Sequence, residues 1–280
     1  MVSIQQIRYQ DMKSSPALTT LCAGYESGSW RARQLVEDVM GRHLMSFALS
    51  FTDFNAISGE NAAKMLKKAA NAIYDTNKYH NRGEFGELLL HAAVKDFFDA
   101  QPAISKIHFK DSPNDTVKGF DCVHIIESDN KVELWLGEVK FYKDLAKAIT
   151  DVTLELRAHF NKDFLEREFI AITNKLDPNW PLANSVADLL DRNRSLDEII
   201  DHLVVPVMLT YDSAAVGEHS KVTADYTKAI EGESTQALTK FNLKLNEALP
   251  VKLHLILVPL EEKERLVNLF HDKLGVWKHL

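Results

Sequence analysis

Cysteine and proline are scarce in this sequence. Cys22 and Cys122 are the only cysteines among 280 residues, which excludes a disulfide framework and a zinc site built from cysteines alone. The eight prolines are scattered, so no stretch is typical of a long flexible linker. The sequence also contains no repeat of fixed period and no low-complexity tract.

Long apolar runs and an excess of positive charge are also absent. Because no run of about eighteen apolar residues occurs, the sequence predicts no transmembrane helix and no membrane partner. Residues 1–11 are polar and lack the apolar stretch of a signal peptide, so we expect a reducing, cytoplasmic setting. The net charge of -7 excludes a global positive field that attracts nucleic acid. Action on DNA or RNA would therefore need a local basic surface, a metal ion or a partner.

Helical spacing of apolar residues dominates the first third of the chain. It predicts helices over residues 30–45, 58–74 and 82–98. Ser58 is the predicted N-cap of the second helix, because a serine hydroxyl can accept a hydrogen bond from a free amide of the first turn.

Strand-like alternation begins after residue 100. Three strands with short connections are predicted over residues 104–110, 119–127 and 131–141, and a helix over 143–160 follows them. Two continuous apolar runs, residues 203–211 and 251–259, are typical of strands that are covered on both faces. Three further helices are predicted near residues 184–201, 234–248 and 261–274.

This order of elements predicts an α/β fold with a mixed central sheet flanked by helices. We divide the chain into a mostly helical N-terminal extension, residues 1–80, and a domain of residues 81–280 with C-terminal helical elaborations. The composition agrees, since 45% hydrophobic and 26% charged residues are typical of a globular protein.

Three charged residues occupy neighbouring predicted strands. Asp121 lies in the second strand, whereas Glu138 and Lys140 lie on one face of the third. A tight turn between the strands can place Asp121 beside Glu138. Such groups are costly to bury unless they pair or bind a cation. Paired carboxylates suit Mg²⁺, and a nearby lysine can hold a water molecule and stabilise the charge that builds on a phosphate.

The triplet Glu138-Val139-Lys140 is a weak signal by itself. An acid followed two residues later by lysine occurs four times in the sequence. Only this one lies inside a hydrophobic strand that follows an acid in a neighbouring strand. The simpler alternative is a solvent-exposed edge strand that ends in a glutamate and a lysine.

A further acid lies on the predicted helix that precedes these strands. Glu84 and Glu87 are three residues apart and share one helical face. Gly83 and Gly86 indicate a backbone that approaches another element closely. We prefer Glu87, which lies deeper in the helix, but the choice between Glu84 and Glu87 stays open. The simpler alternative is an ordinary first turn whose acids are favoured by the helix dipole.

The order of helix acid, strand acid and Glu-x-Lys resembles the PD-(D/E)xK nuclease superfamily. The segments RGEFGELLLH, KGFDCVHI and LWLGEVKFY, the last followed by a helix, also resemble the HamA family, the nuclease subunit of the Hachiman anti-phage defence system. The resemblance covers about residues 30–160. One departure is that Phe120, rather than proline, precedes Asp121.

The resemblance implies a PD-(D/E)xK nuclease-like core and a metal-dependent endonuclease that hydrolyses DNA phosphodiester bonds. Asp121 and Glu138 would bind Mg²⁺, or alternatively Mn²⁺, with help from Glu87 and the Val139 carbonyl. Lys140 would orient the attacking water. A helicase subunit (HamB-like) would form a heteromeric complex with the chain and supply most of the DNA affinity that an acidic protein lacks. Two alternatives remain: a non-catalytic adaptor with a nuclease fold, and a related nuclease for restriction, repair or RNA cleavage.

Two histidines near the predicted site have simpler interpretations. His91 lies one helical turn after Glu87, where it could contact a site carboxylate or serve as a satisfied core histidine. His124 is an odd number of residues from Asp121, so we expect it on the opposite face of the strand.

Overall fold

A computed structural model of the chain describes residues 2–74, 83–105, 119–128 and 131–280. The described strands are β1 (Gln6–Asp11), β2 (Ala17–Cys22), β3 (Tyr25–Glu26), β4 (Ser29–Trp30), β5 (Gln101–Ser105), β6 (Cys122–Ser128), β7 (Lys131–Phe141), β8 (Leu203–Asp212) and β9 (Lys252–Leu260). The described helices are α1 (Ala32–Ala48), α2 (Phe51–Asn55), α3 (Ala62–Ile73), α4 (Glu84–Phe98), α5 (Leu145–His159), α6 (Lys162–Lys175), α7 (Ala183–Leu189), α8 (Leu196–Ile200), α9 (Ala214–Glu218), α10 (Ala224–Leu245) and α11 (Lys263–Lys278).

Seven strands form one mixed sheet in the order β1-β2-β9-β8-β7-β6-β5. The central strands β2, β9, β8 and β7 are parallel, whereas β1 at one edge and β6 and β5 at the other run antiparallel to their neighbours. The runs LVVPVMLTY and VKLHLILVP form β8 and β9 in the middle of the sheet, as their continuous apolar character predicts.

Helices cover both faces of this sheet. One face packs against α1, α4 and α11, and the other packs against α5, α6 and α10. Strand β7 contributes side chains to both layers, because successive residues of a strand point to opposite faces of the sheet. Val139 and Phe141 pack on the α4 side, while Leu134 and Leu136 pack on the opposite side. The predicted mixed α/β architecture, a mixed central sheet flanked by helices, is confirmed.

The N-terminal segment contains more strand than the sequence predicts. Strands β1 and β2 were missed, and β2 pairs in parallel with β9. The segment that was expected to be a mostly helical extension therefore also contributes two strands, β1 and β2, to the central sheet. They were missed because β1 is a polar edge strand without a fully buried residue, and both strands are only six residues long. The division at residue 80 stays a prediction.

Several predicted helix limits also differ from the structure. Helix α3 has Asn61 as its N-cap, and Ser58 instead donates its backbone N–H to the Asn61 side chain at 2.7 Å, so the Ser58 cap is wrong. The helix predicted near residues 184–201 is two helices. The second of them, α8, begins at a capping box formed by Ser195 and Glu198. Helix α10 begins at Ala224, ahead of its predicted start, because Thr223 caps it.

Some sequence predictions fall outside the described residues. These include residue 82, the predicted start of the third helix, and most of the strand predicted over 104–110. Of the helices that the described ranges contain, none has the length and apolar character needed to cross a bilayer.

Candidate active site

Asp121 and Glu138 lie side by side where β6 meets β7. The antiparallel register pairs Cys122 with Gly137, and the Asp121 amide donates to the Gly137 carbonyl at 2.8 Å. The Asp121 side chain then accepts a hydrogen bond at Oδ2 from the Val139 amide at 2.8 Å. These two bonds hold the Asp121 carboxylate next to Glu138, as the sequence predicts.

Glu138 is a buried carboxylate in a negative environment. It is 2% exposed. Burial and the charge of Asp121 raise its pKa to about 7, against opposing effects of His159 and Lys140. A negative charge on Glu138 is therefore disfavoured at neutral pH unless a cation balances it.

Lys140 shares the strand face of Glu138 and is also buried. Burial disfavours its ammonium group, but the charges of Glu138, Glu155 and Asp121 and a hydrogen bond to Glu155 outweigh burial and raise the Lys140 pKa. Lys140 is therefore a charged hydrogen-bond donor at neutral pH. The alternative of a solvent-exposed edge strand is wrong, because β7 lies between β6 and β8 and these side chains are buried.

Two residues of α5 contact the site, and the sequence analysis missed both. Lys140 Nζ pairs with Glu155, and His159 Nδ1 lies 2.6 Å from Glu138 Oε1. Glu155 and His159 are four residues apart, so they lie on one helical face, next to the buried Leu156. A glutamate and a histidine four residues apart, on the helix directly after the Glu-x-Lys strand, are the sequence pattern that could have identified these two residues.

The residue before Asp121 belongs to the wall of the site. The Phe120 amide donates to Glu168 of α6 at 3.2 Å, and the Phe120 ring packs edge-on against His159 with centroids 5.1 Å apart. Gly119 has a φ of 141° and approaches the Glu168 carboxylate so closely that a Cβ would lie 2.7 Å from Oε1. The phenylalanine at this position therefore packs against a residue that contacts Glu138.

Glu84 and Glu87 are both buried in the first turn of α4. Burial and the charges of Asp121, Glu87 and Glu138 raise the pKa of the Cys122 thiol, so these three acids approach the same buried side chain. Gly86 permits this approach, because a Cβ there would lie 2.6 Å from the Phe141 Cβ.

The donor set fits a hard divalent cation. Asp121 and Glu138 present adjacent carboxylates. The raised pKa of Glu138 shows that its negative charge is unfavourable at this position, and a bound cation would offset that cost. Mg²⁺ is commonly held through one or two carboxylates, waters and substrate phosphate oxygens. Among the described residues, no three His, Cys, Asp or Glu side chains are close enough to hold a metal ion together. Glu87 and the Val139 carbonyl as further ligands therefore stay predictions.

The two nearby histidines belong to the core. His91 Nε2 contacts Ser46 Oγ at 3.0 Å, and its Nδ1 contacts His124 Nε2 at 3.1 Å. His91 is thus a satisfied core histidine, the simpler of its two interpretations. His124 faces His91 of α4 and not the acidic pair, which confirms its predicted strand face.

A comparison with family models gives a match to HamA over residues 2–274. No curated protein matches the chain. The match includes the strands that carry Asp121, Glu138 and Lys140, and it extends through both halves of the central sheet. Because it covers nearly the whole sequence, the chain belongs to the HamA family and is a component of the Hachiman anti-phage defence system.

Proposed function

We propose that this chain is the nuclease effector of its defence system, a metal-dependent endonuclease that hydrolyses DNA phosphodiester bonds in the cytoplasm. The observation that supports the proposal is the buried cluster of Asp121, Glu138 and Lys140 where β6 meets β7. We also assign the core to the PD-(D/E)xK superfamily, on the order of helix acid, strand acid and Glu-x-Lys.

The side chains have distinct roles in this mechanism. Asp121 and Glu138 would hold Mg²⁺ or Mn²⁺, and the Val139 amide fixes the orientation of Asp121. When bound there, the ion would supply Lewis-acid stabilisation of the phosphate and a more acidic water. Lys140 stays protonated because its pKa is raised. It is therefore suited to orient the attacking water and to stabilise phosphate charge, and not to remove a proton.

A helicase partner is the second part of the proposal. The net charge of -7 disfavours tight DNA binding by the chain alone. A HamB-like helicase would provide DNA affinity and would restrain or release the nuclease in a heteromeric complex. A large helicase gene beside the gene for this chain is the expected genomic observation.

The test is plasmid cleavage by the chain with its helicase partner. We expect Glu138→Gln and Lys140→Ala each to lower the cleavage rate by about 100-fold or more, the usual effect of removing one electrostatic group from such a site. Glu133→Gln, on the same strand, is the matched control and should cleave like the wild type. EDTA should stop cleavage. Equal cleavage by all four proteins, or cleavage that EDTA does not affect, would contradict the proposal.

The same variants separate the alternatives. Full protection against phage by Glu138→Gln and Lys140→Ala would favour a non-catalytic adaptor. Comparison of supercoiled DNA, linear DNA and RNA as substrates would distinguish a DNA effector from a nuclease for restriction, repair or RNA cleavage.

A further inference from the structure

We propose that Glu155 and His159 are positioning residues of this site, which act from α5 through Lys140 and Glu138. His159 fixes the orientation of the Glu138 carboxylate, and Glu155 fixes the Lys140 ammonium group. The inference rests on the proposed function, because it assigns these residues to the same site.

The geometry joins one helix to both functional groups. His159 Nδ1 lies 2.6 Å from Glu138 Oε1, and Glu155 pairs with Lys140 Nζ. The helix is itself firmly held, because Ala148, Val152 and Leu156 are buried against the sheet. Glu155 and His159 therefore approach β7 from a rigid support, which is the arrangement that positioning residues need.

Packing fixes the His159 ring independently of Glu138. The ring stacks on Phe164 with centroids 4.3 Å apart and an interplanar angle of 10°. Phe120 also packs edge-on against the ring, with centroids 5.1 Å apart. With the ring held in this place, Nδ1 lies beside one oxygen of the Glu138 carboxylate, Oε1, at the distance of an ion pair. A neighbour this close to a metal-binding carboxylate can orient it, and the loss of such a neighbour typically changes metal affinity or activity by about 10–100-fold.

Glu155 acts on Lys140, the second functional group that α5 contacts. Lys140 is close enough to Glu138 and Asp121 that their charges affect its ammonium group. Without another partner, the ammonium group would neutralise the acidic pair and compete with a cation. Glu155 reaches in from a half-exposed position and gives Lys140 a carboxylate outside that pair. The ammonium group then competes less with a cation at Asp121 and Glu138.

Two substitutions test His159. His159→Phe keeps an aromatic ring against Phe164 but removes the donor, whereas His159→Asn keeps a donor near the Nδ1 position but removes the ring. We expect His159→Phe to weaken Mn²⁺ binding, measured by calorimetry on the purified chain, by about 10–100-fold, and to lower kcat in plasmid cleavage. His159→Asn should recover most of both. Wild-type behaviour of His159→Phe, or equal losses in the two variants, would overturn the assignment.

Glu155 is tested in a double-mutant cycle with Lys140. We expect Glu155→Ala to weaken Mn²⁺ binding severalfold, because the freed ammonium group then pairs with Asp121 and Glu138. In a Lys140→Ala background the same substitution should change Mn²⁺ affinity less than twofold. Glu166→Gln on α6 is the control for loss of a partly exposed carboxylate. An equal effect of Glu155→Ala in both backgrounds would overturn this role.

The two levels of the proposal fail in different ways. If the function is wrong, the wild-type chain neither cleaves nor binds Mn²⁺ through Glu138. If only the positioning role is wrong, wild-type cleavage still depends on Glu138, while His159→Phe and Glu155→Ala match the wild type in Mn²⁺ affinity and kcat.

Discussion

At the scale of single residues, Glu138 combines a functional position with a cost in stability. Its pKa of about 7 exceeds the ordinary value of 4.5, so the folded state binds a proton more tightly than the unfolded state between these two values. The free energy of unfolding therefore decreases as pH rises from 4.5 toward 7, and the loss is complete above that range.

This linkage predicts that Glu138→Gln stabilises the metal-free protein at pH 8. The amide has the shape of the acid and carries no charge, so the gain should be on the order of 1 kcal/mol or more. It should be smallest near pH 4, where the wild-type carboxyl is mostly protonated in both the folded and the unfolded state. Urea unfolding in EDTA at both pH values measures the difference. A variant less stable than the wild type at pH 8 would contradict the prediction.

Much of the site at this scale could be predicted from the sequence. Period-two alternation placed Glu138 and Lys140 on one face, and the turn between the strands brought Asp121 beside them. Glu155 and His159 were not predicted, because their contacts depend on how α5 is rotated against the sheet. No local pattern specifies that rotation. It is set by the packing of Ala148, Val152 and Leu156.

At the scale of elements, the contact between α4 and β7 sets the distance between the helix acids and the strand acids. Gly86 allows it, since a Cβ would lie 2.6 Å from the Phe141 Cβ and 3.2 Å from Val139 Cγ2. The two glycines predict a close approach of α4 to another element, but no sequence pattern identifies the partner strand. Strand β7 is that partner.

We expect Gly86→Ala to destabilise the protein. Overpacking at this contact costs about 1–3 kcal/mol, which should exceed the gain of about 1 kcal/mol that alanine offers inside a helix. Gly232→Ala in α10 is the matched control, because no atom lies within 4 Å of its added Cβ. The control should be neutral or stabilising. Thermal unfolding of both variants measures the difference in stability. A Gly86→Ala protein as stable as Gly232→Ala would contradict the prediction, because it would show that α4 can move away from β7 without cost.

At the scale of the whole molecule, the N-terminal strands belong to the sheet that carries the site. Leu18 and Leu21 of β2 are fully buried in two different core clusters. Thr19 contacts His254 of β9 at 2.9 Å, and Thr20 contacts Ser234 of α10 at 2.8 Å. The sequence could not predict this because β1 is polar, both strands are only six residues long, and the pairing of β2 with β9 joins residues more than 230 positions apart.

This pairing predicts that the described fold unfolds as one cooperative unit. Leu18→Ala should lower the free energy of unfolding by about 2–5 kcal/mol, because it leaves a cavity between the sheet and its helices. Ile7→Ala on the exposed edge strand should cost far less, since Ile7 is 43% exposed. Urea unfolding followed by circular dichroism and by tryptophan fluorescence should give coincident transitions, both shifted by Leu18→Ala. Two separate transitions, with only the first shifted, would mean that the N-terminal segment folds apart from the sheet that holds Asp121, Glu138 and Lys140.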